Sequence, residues 1–397
     1  MRVPEHLDAL LLGEDHRIAV VDDGGDLAAV PQVRDADGRW RRARPGDGAA
    51  SALLTLLAAG SATRGAFSVL SWTTRTALSE TPIGVDQTNE SVIVGDAAVV
   101  KWATHLQDGP HPAPPRIEAL REAGFDGTPT PWGLVTWRTS TGEDTVVAYV
   151  DDYLPGAVDG WTWAVDLITA AARDGRIEEF CTAAADVGTV VANVHAALSL
   201  TTTVATTADA QRWHDGALET LDSACRLGHP GAVARRHDVE VLLADLDELA
   251  GTPVILGHGD LHVGQVLCSR GRFVVTDFDG NPVLTASERA LPIPAVLDVA
   301  GMTQSLAHAG IVAAKYTALD TATLAAVDRN GRTAFLDAYG RRLEELGHAD
   351  LFDSTPLRAF RAQQILREIV YAARHLPRWM YVPDAALPAL LDEGCST

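Results

Sequence analysis

Lysine is nearly absent from this chain. Of its 32 basic residues only Lys101 and Lys315 are lysine, and all the others are arginine. Positive charge itself is in deficit: 53 acidic residues give a formal net charge of −21 and a pI near 4.9. Such a surface repels nucleic acid and anionic membranes, so neither is expected as a partner. Cysteine is scarce too, and Cys181, Cys225, Cys268 and Cys395 are scattered with no CxxC pair. That pattern disfavours a zinc ribbon or a disulfide frame and fits reduced thiols in the cytoplasm. No apolar run approaches the ~18 residues of a membrane span. The opening MRVPEHLDALLLGEDHR is broken by acids and lacks a signal-peptide core. No GxxxxGK occurs, which excludes a Walker A loop.

What remains is a globular composition, 47% hydrophobic and 21% charged, in 397 residues. That length allows two or three lobes. Residues 1–80 read as a separate cap. RIAVVDDGGDLAAVPQV gives two strands about an Asp-Gly-Gly turn, and AASALLTLLAAG gives a short helix stopped by Gly60. Residues 81–150 read as mostly antiparallel sheet: strands at 91–94 and 98–102, the helix PPRIEALREAG, then the pair WGLVTWR and TVVAYV. Residues 151–397 carry apolar residues at helical spacing, as in EEFCTAAADVGTVVANVHAALS and PLRAFRAQQILREIVYAARHL.

One stretch of that helical half differs. VILGHGDLHVGQVLCSRGRFVVTDFDG, residues 254–280, is strand-like and holds His258, Asp260, His262, Gln265, Asp277 and Asp279. Carboxylates so close repel one another unless a cation holds them. Lys101, one of the two lysines, lies in the β-branched run AAVVKWA. A compact ammonium suits a phosphate. Together these residues suit phosphoryl transfer from a nucleotide: a lysine on the phosphates, two acidic groups on magnesium, and a third carboxylate orienting the acceptor hydroxyl. A calcium loop over DFDGNPVLTASE is disfavoured by Pro282 at the position that needs glycine. A set of ordinary caps and turn residues remains the bland alternative.

HGDLHVGQ followed by VVTDFDG resembles the catalytic and metal-binding loops of the aminoglycoside-phosphotransferase-like kinases. With DQTNES, LPGAVDGW and LDVAGM the chain resembles, more narrowly, the actinobacterial maltokinase group and its glucosamine-phosphorylating relatives. The likeness runs over nearly the whole chain. It implies an α+β, two-lobed protein-kinase-like fold of the aminoglycoside phosphotransferase type with an N-terminal cap subdomain. It implies domains at 1–80 (cap), 81–150 (sheet-rich lobe with the ATP lysine) and 151–397 (helical lobe with the catalytic loop).

Residue by residue, the resemblance implies Asp260 as the catalytic aspartate, braced by His258. Gln265, Asp277 and Asp279 are the implied magnesium ligands. Lys101 is the phosphate lysine with Glu118 as its helix partner, Thr88 and Ser91 lie in the loop over the phosphates, and Tyr149 and Asp151 lie at the adenine hinge. For the acceptor, Asp260, His262, Asp298, Glu368, Tyr371 and Trp379 are expected. Gln364, Glu368, Tyr371 and His375 share one helix face by spacing. Leu297 stands where maltokinases tend to carry arginine, and loss of that positive charge favours an amine. The implied substrates are ATP with Mg2+ and an amino sugar, glucosamine at its 6-hydroxyl. Maltose, an aminoglycoside, and a catalytically silent nucleotide-binding regulator are the alternatives.

Overall fold

β-branched runs in the N-terminal third extend into strands, and every strand pair is antiparallel. A computed structural model describes residues 5–83 and 90–393. These divide into two units. One runs to Ile117 and adds Thr128–Gly156 and Pro282–Ala290; the other holds Glu118–Gly127, Ala157–Asn281 and the chain from Leu291.

In the first unit, β1 (Glu5–Leu11), β2 (His16–Asp22), β3 (Leu27–Arg34) and β4 (Trp40–Arg42) form a sheet in sequential order. After α1 (Ala49–Ala58) come β5 (Ala62–Arg64), β6 (Phe67–Ser71), β7 (Glu80–Pro82), β8 (Glu90–Val94) and β9 (Ala98–Trp102). Helix α2 (Ala113–Glu122), β10 (Pro131–Arg138) and β11 (Asp144–Asp152) follow. The second sheet has seven strands in the order β5-β6-β10-β11-β9-β8-β7. The boundary expected near residue 80 is therefore no break in the sheet, since β6 pairs with β10 from Gly133↔Ser71 to Trp137↔Phe67. The physical reason is burial. One cluster joins Leu10, Ile18, Leu53 and Leu57 to Val92, Val100, Trp102 and Trp132, and the first eighty residues could not close such a core alone.

Helix α1 shows how this unit is tied. Its N-cap is Gly48, which offers no side chain. The Glu80 carboxylate takes that place, accepting from the backbone N–H of Gly46 (2.8 Å), Gly48 (3.0 Å) and Ser51 (2.9 Å). An anion there satisfies orphan donors at the positive end of the helix. Glu80→Ala is expected to lower stability by about 1–2 kcal/mol. Thermal melting checks this, and an unchanged Tm would show that the contact carries no stability.

The second unit is helical: α3 (Gly160–Asp174), α4 (Ile177–Leu198), α5 (Thr207–Arg226), α6 (Pro230–Ala234) and α7 (Arg236–Leu243). Two short antiparallel pairs interrupt it, β12 (Thr203–Val204) with β13 (Pro253–Val254) and the hairpin of β14 (Val266–Ser269) with β15 (Arg272–Val275). Helix α8 (Ala286–Arg289) lies in the segment assigned to the first unit. Then come α9 (Ala295–Tyr316), α10 (Thr321–Glu345), α11 (Leu357–His375) and α12 (Tyr381–Asp392). One core cluster surrounds Phe180, Val187, Met302 and Phe335, and another surrounds Trp213, Leu246, Phe360 and Ile365. Contrary to the expectation from sequence, α4 is apolar and long enough to cross a membrane by composition. Its apolar face is instead the core of this unit, with Val187, Val191 and Leu198 fully buried. Among the described residues Cys181, Cys225 and Cys268 are free thiols.

Candidate active site

The loop that carries Asp260 is built between a strand end and a hairpin. β14 and β15 pair from Val266↔Val275 to Ser269↔Arg272. Arg270 (φ 51°) and Gly271 (φ 75°) make the tight turn with both central residues left-handed. The hairpin brings the two motif clusters together, because Thr276 donates its N–H to the Gln265 carbonyl at 2.8 Å. Asp277 follows at φ 66°, a left-handed conformation aspartate tolerates better than most residues.

His258 locks the loop from inside. Its Nδ1 accepts from the Asp260 N–H at 3.3 Å, so its proton sits on Nε2, which donates to the Thr276 carbonyl at 3.0 Å. Its ring meets Phe278 at 5.0 Å. Asp298 on α9 holds the loop from behind. It is fully buried, and its two oxygens accept from the backbone N–H of His258 (2.7 Å) and Gly259 (2.8 Å). His195 Nε2 lies 3.3 Å from the same carboxylate, and His195 Nδ1 lies 2.8 Å from the Tyr339 hydroxyl. Burial pushes the Asp298 carboxyl up, but His195 and the loop N–H groups outweigh it and hold the group below the usual carboxylate range.

Backbone touches backbone at two further points. A Cβ on Gly160 of α3 would stand 1.6 Å from the Val263 carbonyl oxygen, and one on Gly301 of α9 would stand 2.2 Å from that of Leu261. The loop is thus seated on two helices where no side chain fits.

Asp260 itself is about one-fifth exposed. Burial pushes its carboxyl up to about 7; Asp277, Asp298 and Glu368 add repulsion, and Arg367 opposes it. His262 lies 4.0 Å from Asp260, and burial, then His258, press it down to about 4, so it is neutral. Arg367 was not singled out in the sequence, because one more arginine on an amphipathic helix carries no signal. It supplies a positive charge near Asp260, whereas Leu297 packs against the second helical core.

The expected acceptor residues divide. Glu368 on α11 accepts from Trp379 Nε1 at 3.0 Å and lies 3.1 Å from His308 Nδ1. Burial raises the Glu368 carboxyl, but His308 and Trp379 outweigh it and hold it below the ordinary value. Trp379 meets Trp161 edge-on at 5.6 Å, and Trp161 lies 6.4 Å from His262. Asp260, His262, Glu368 and Trp379 are therefore linked in one neighbourhood. Tyr371 is not: it is 51% exposed and touches His375 at 5.3 Å. Asp298, expected at the acceptor, lies fully buried inside α9 with both oxygens accepting from the loop N–H groups.

In the first unit Lys101 pairs across the sheet with Tyr149, whose ring lies 5.5 Å from Nζ, and with Ser91 on the other side. The carboxylate beside Lys101 is Asp151, at 3.2 Å and 5% exposed, while Glu118 is exposed on α2. Asp151 is a strand neighbour two residues from Tyr149. Thr88 lies outside the described residues.

Asp277 and Asp279 follow β15, and Gln265 precedes β14; all three offer hard oxygen donors at the base of the hairpin. Among the described residues no three His, Cys, Asp or Glu side chains converge as a closed cage. A pair of carboxylates suits magnesium, which keeps waters and substrate phosphates as further ligands. Repulsion from Asp277 on Asp260 is what a cation there would relieve.

No protein-family model matches the chain. It is 62% identical to a glucosamine kinase of Mycolicibacterium smegmatis over 398 residues, covering 98% of this chain and 99% of that one. It is 47% identical to a glucosamine kinase of Streptacidiphilus jiangxiensis over 406 residues, covering 98% and 92%. Among solved structures it matches a glucosamine kinase in complex with glucosamine, ADP and inorganic phosphate, with a TM-score of 0.86 at 42% identity over 98% of this chain and 94% of that one. A second crystal form of a glucosamine kinase matches with a TM-score of 0.89 at 42% identity, over 99% and 94%.

Proposed function

We propose the following reaction for this chain, which belongs to the glucosamine kinase family: transfer of the γ-phosphoryl group of ATP to the 6-hydroxyl of D-glucosamine. Asp260 orients that hydroxyl and accepts its proton as the new P–O bond forms. In a loose transition state little charge develops early on the acceptor oxygen, so orientation is the larger share of this work. Neutral His262 borders the same hydroxyl without competing for the proton. Lys101, 3.2 Å from Asp151, neutralises phosphate oxygens. Gln265, Asp277 and Asp279 are the residues that would hold Mg2+, which when bound offsets the negative charge of the β- and γ-phosphates. Asp298 acts through the loop N–H groups as a positioning residue.

The observation that carries the choice of an amino sugar is Glu368: an ionised carboxylate, held by Trp379 and His308, in the electrostatic neighbourhood of the catalytic aspartate. A carboxylate so placed suits an ammonium group, and the Trp379 ring suits the C–H face of a pyranose. The test is turnover, read as ADP release, on glucosamine, glucose, maltose and an aminoglycoside at equal concentration. Glucosamine alone is expected to be phosphorylated well. Glu368→Gln is expected to raise the KM for glucosamine about 10–100-fold, the loss of one charge-assisted contact. Preferred turnover on maltose would move the chain to the maltokinases. Silence on all four with ATP still bound would make it a nucleotide-binding regulator.

A further inference from the structure

Glu368 is the end of a buried polar chain. His308 on α9 is fully buried; its Nδ1 lies 3.1 Å from Glu368 Oε1, off the hydrogen-bonding line. One turn earlier on α9, the Gln304 side-chain nitrogen lies 2.9 Å from His308 Nε2. The Gln304 carbonyl accepts from Arg361 Nε at 3.0 Å. Arg361 forks onto Glu393 at 2.7 and 3.2 Å, and Arg332 bridges Glu393 (3.0 Å) to Asp328 (2.9 Å). Gln304 and Arg361 are 1% and 4% exposed.

Donor and acceptor directions along this chain are fixed from one end. A guanidinium only donates, so Gln304 must turn its carbonyl to Arg361 and its NH2 to His308. Nε2 of His308 is then an acceptor. The proton of the neutral ring sits on Nδ1, toward Glu368. A second proton on Nε2 would face the NH2 donor head-on.

We propose that Gln304, oriented by the Arg361–Glu393 pair, is a positioning residue for acceptor specificity: it holds His308 as the neutral Nδ1–H tautomer, which leaves the full negative charge of Glu368 for the substrate's ammonium group. This rests on the reading of Glu368 as the amine contact. Were His308 an imidazolium, the Glu368 charge would be satisfied inside the protein, and the advantage of glucosamine over a neutral hexose would shrink. The other charged or titratable groups acting on this pair are Asp260 and His262.

Gln304→Glu is the discriminating change. It keeps the shape but, ionised beside Arg361, presents an acceptor to both neighbours, so His308 is expected to carry protons on both nitrogens. The KM for glucosamine is expected to rise at least ~10-fold, with kcat within about threefold and the KM for ATP unchanged, as expected when one charge-assisted contact is lost. In the 15N spectrum of histidine-labelled wild-type protein, His308 should show a protonated Nδ1 and an unprotonated Nε2; in the variant both should be protonated. A wild-type spectrum with the proton on Nε2 overturns the proposal, and so does a variant that keeps the wild-type KM. If the variant does not fold, the wild-type spectrum alone decides. Wild-type protein that ignores glucosamine would instead refute the reaction, with the tautomer still readable.

Discussion

Asp260→Asn is expected to lower kcat by about 10²–10⁴-fold, the usual contribution of a positioned base, while ATP affinity stays within a few fold. The same change should stabilise the metal-free protein at pH 8. The folded carboxyl titrates near 7 against a reference of 3.8. A carboxyl raised by folding stays protonated between those values, so its ionisation opposes folding increasingly as pH rises from 3.8. The penalty is complete above about 7. At roughly 1.4 kcal/mol per tenfold change in proton affinity, and with the group partly solvated, the penalty is about 2–4 kcal/mol. Asparagine does not ionise and escapes it. Melting curves at pH 5 and pH 8 without magnesium read this directly: the variant's advantage should be larger at pH 8. An equal or lower Tm at pH 8, or surviving turnover, would show that Asp260 is not the strained base.

Gly301→Ala should do comparable damage without touching a titratable group. Its Cβ would stand 2.2 Å from the Leu261 carbonyl oxygen and 3.4 Å from the carbonyl carbon, next to Asp260 in sequence. Backbone cannot swing aside as a flexible side chain does, so either α9 or the loop must shift. Overpacking of this kind costs about 1–3 kcal/mol. A displacement of the catalytic aspartate by about 1 Å costs roughly 10²-fold in rate. Gly340→Ala on α10 is the control: apart from its own helix backbone, no atom lies within 4 Å of its Cβ. That change should be neutral or slightly stabilising, because alanine is the better helix former. Should Gly301→Ala retain kcat within threefold, the loop is not seated as described.

The motif residues were legible because their chemistry is local. His258, Asp260, Gln265 and Asp277 lie within 20 positions, and a hairpin brings them together. Strand periodicity also placed β8 to β11. What escaped depends on long-range packing. His195, Asp298 and Tyr339 meet although more than 100 residues separate the first two. Nothing local marks Glu80 as the anion at the start of α1, or Gly160 and Gly301 as points of backbone contact. Sheet register likewise puts Tyr149 opposite Lys101, and with it the nearby Asp151, a contact that no local pattern marks.

The seating of the catalytic loop on bare helix backbone has a consequence for how such enzymes diverge. The loop is held by backbone contacts that side-chain substitution can only spoil, whereas the proposed acceptor contacts, Glu368 and Trp379, are side chains of α11 and the residues after it. Mutations at Glu368, Trp379 and their supporting chain can redirect the enzyme to another hydroxyl compound while phosphoryl transfer stays intact. Mutations at Gly160 or Gly301 have no such outlet. On the proposed reading, then, new acceptors are reached by substitution on one helix, while the loop keeps its seat through two glycines.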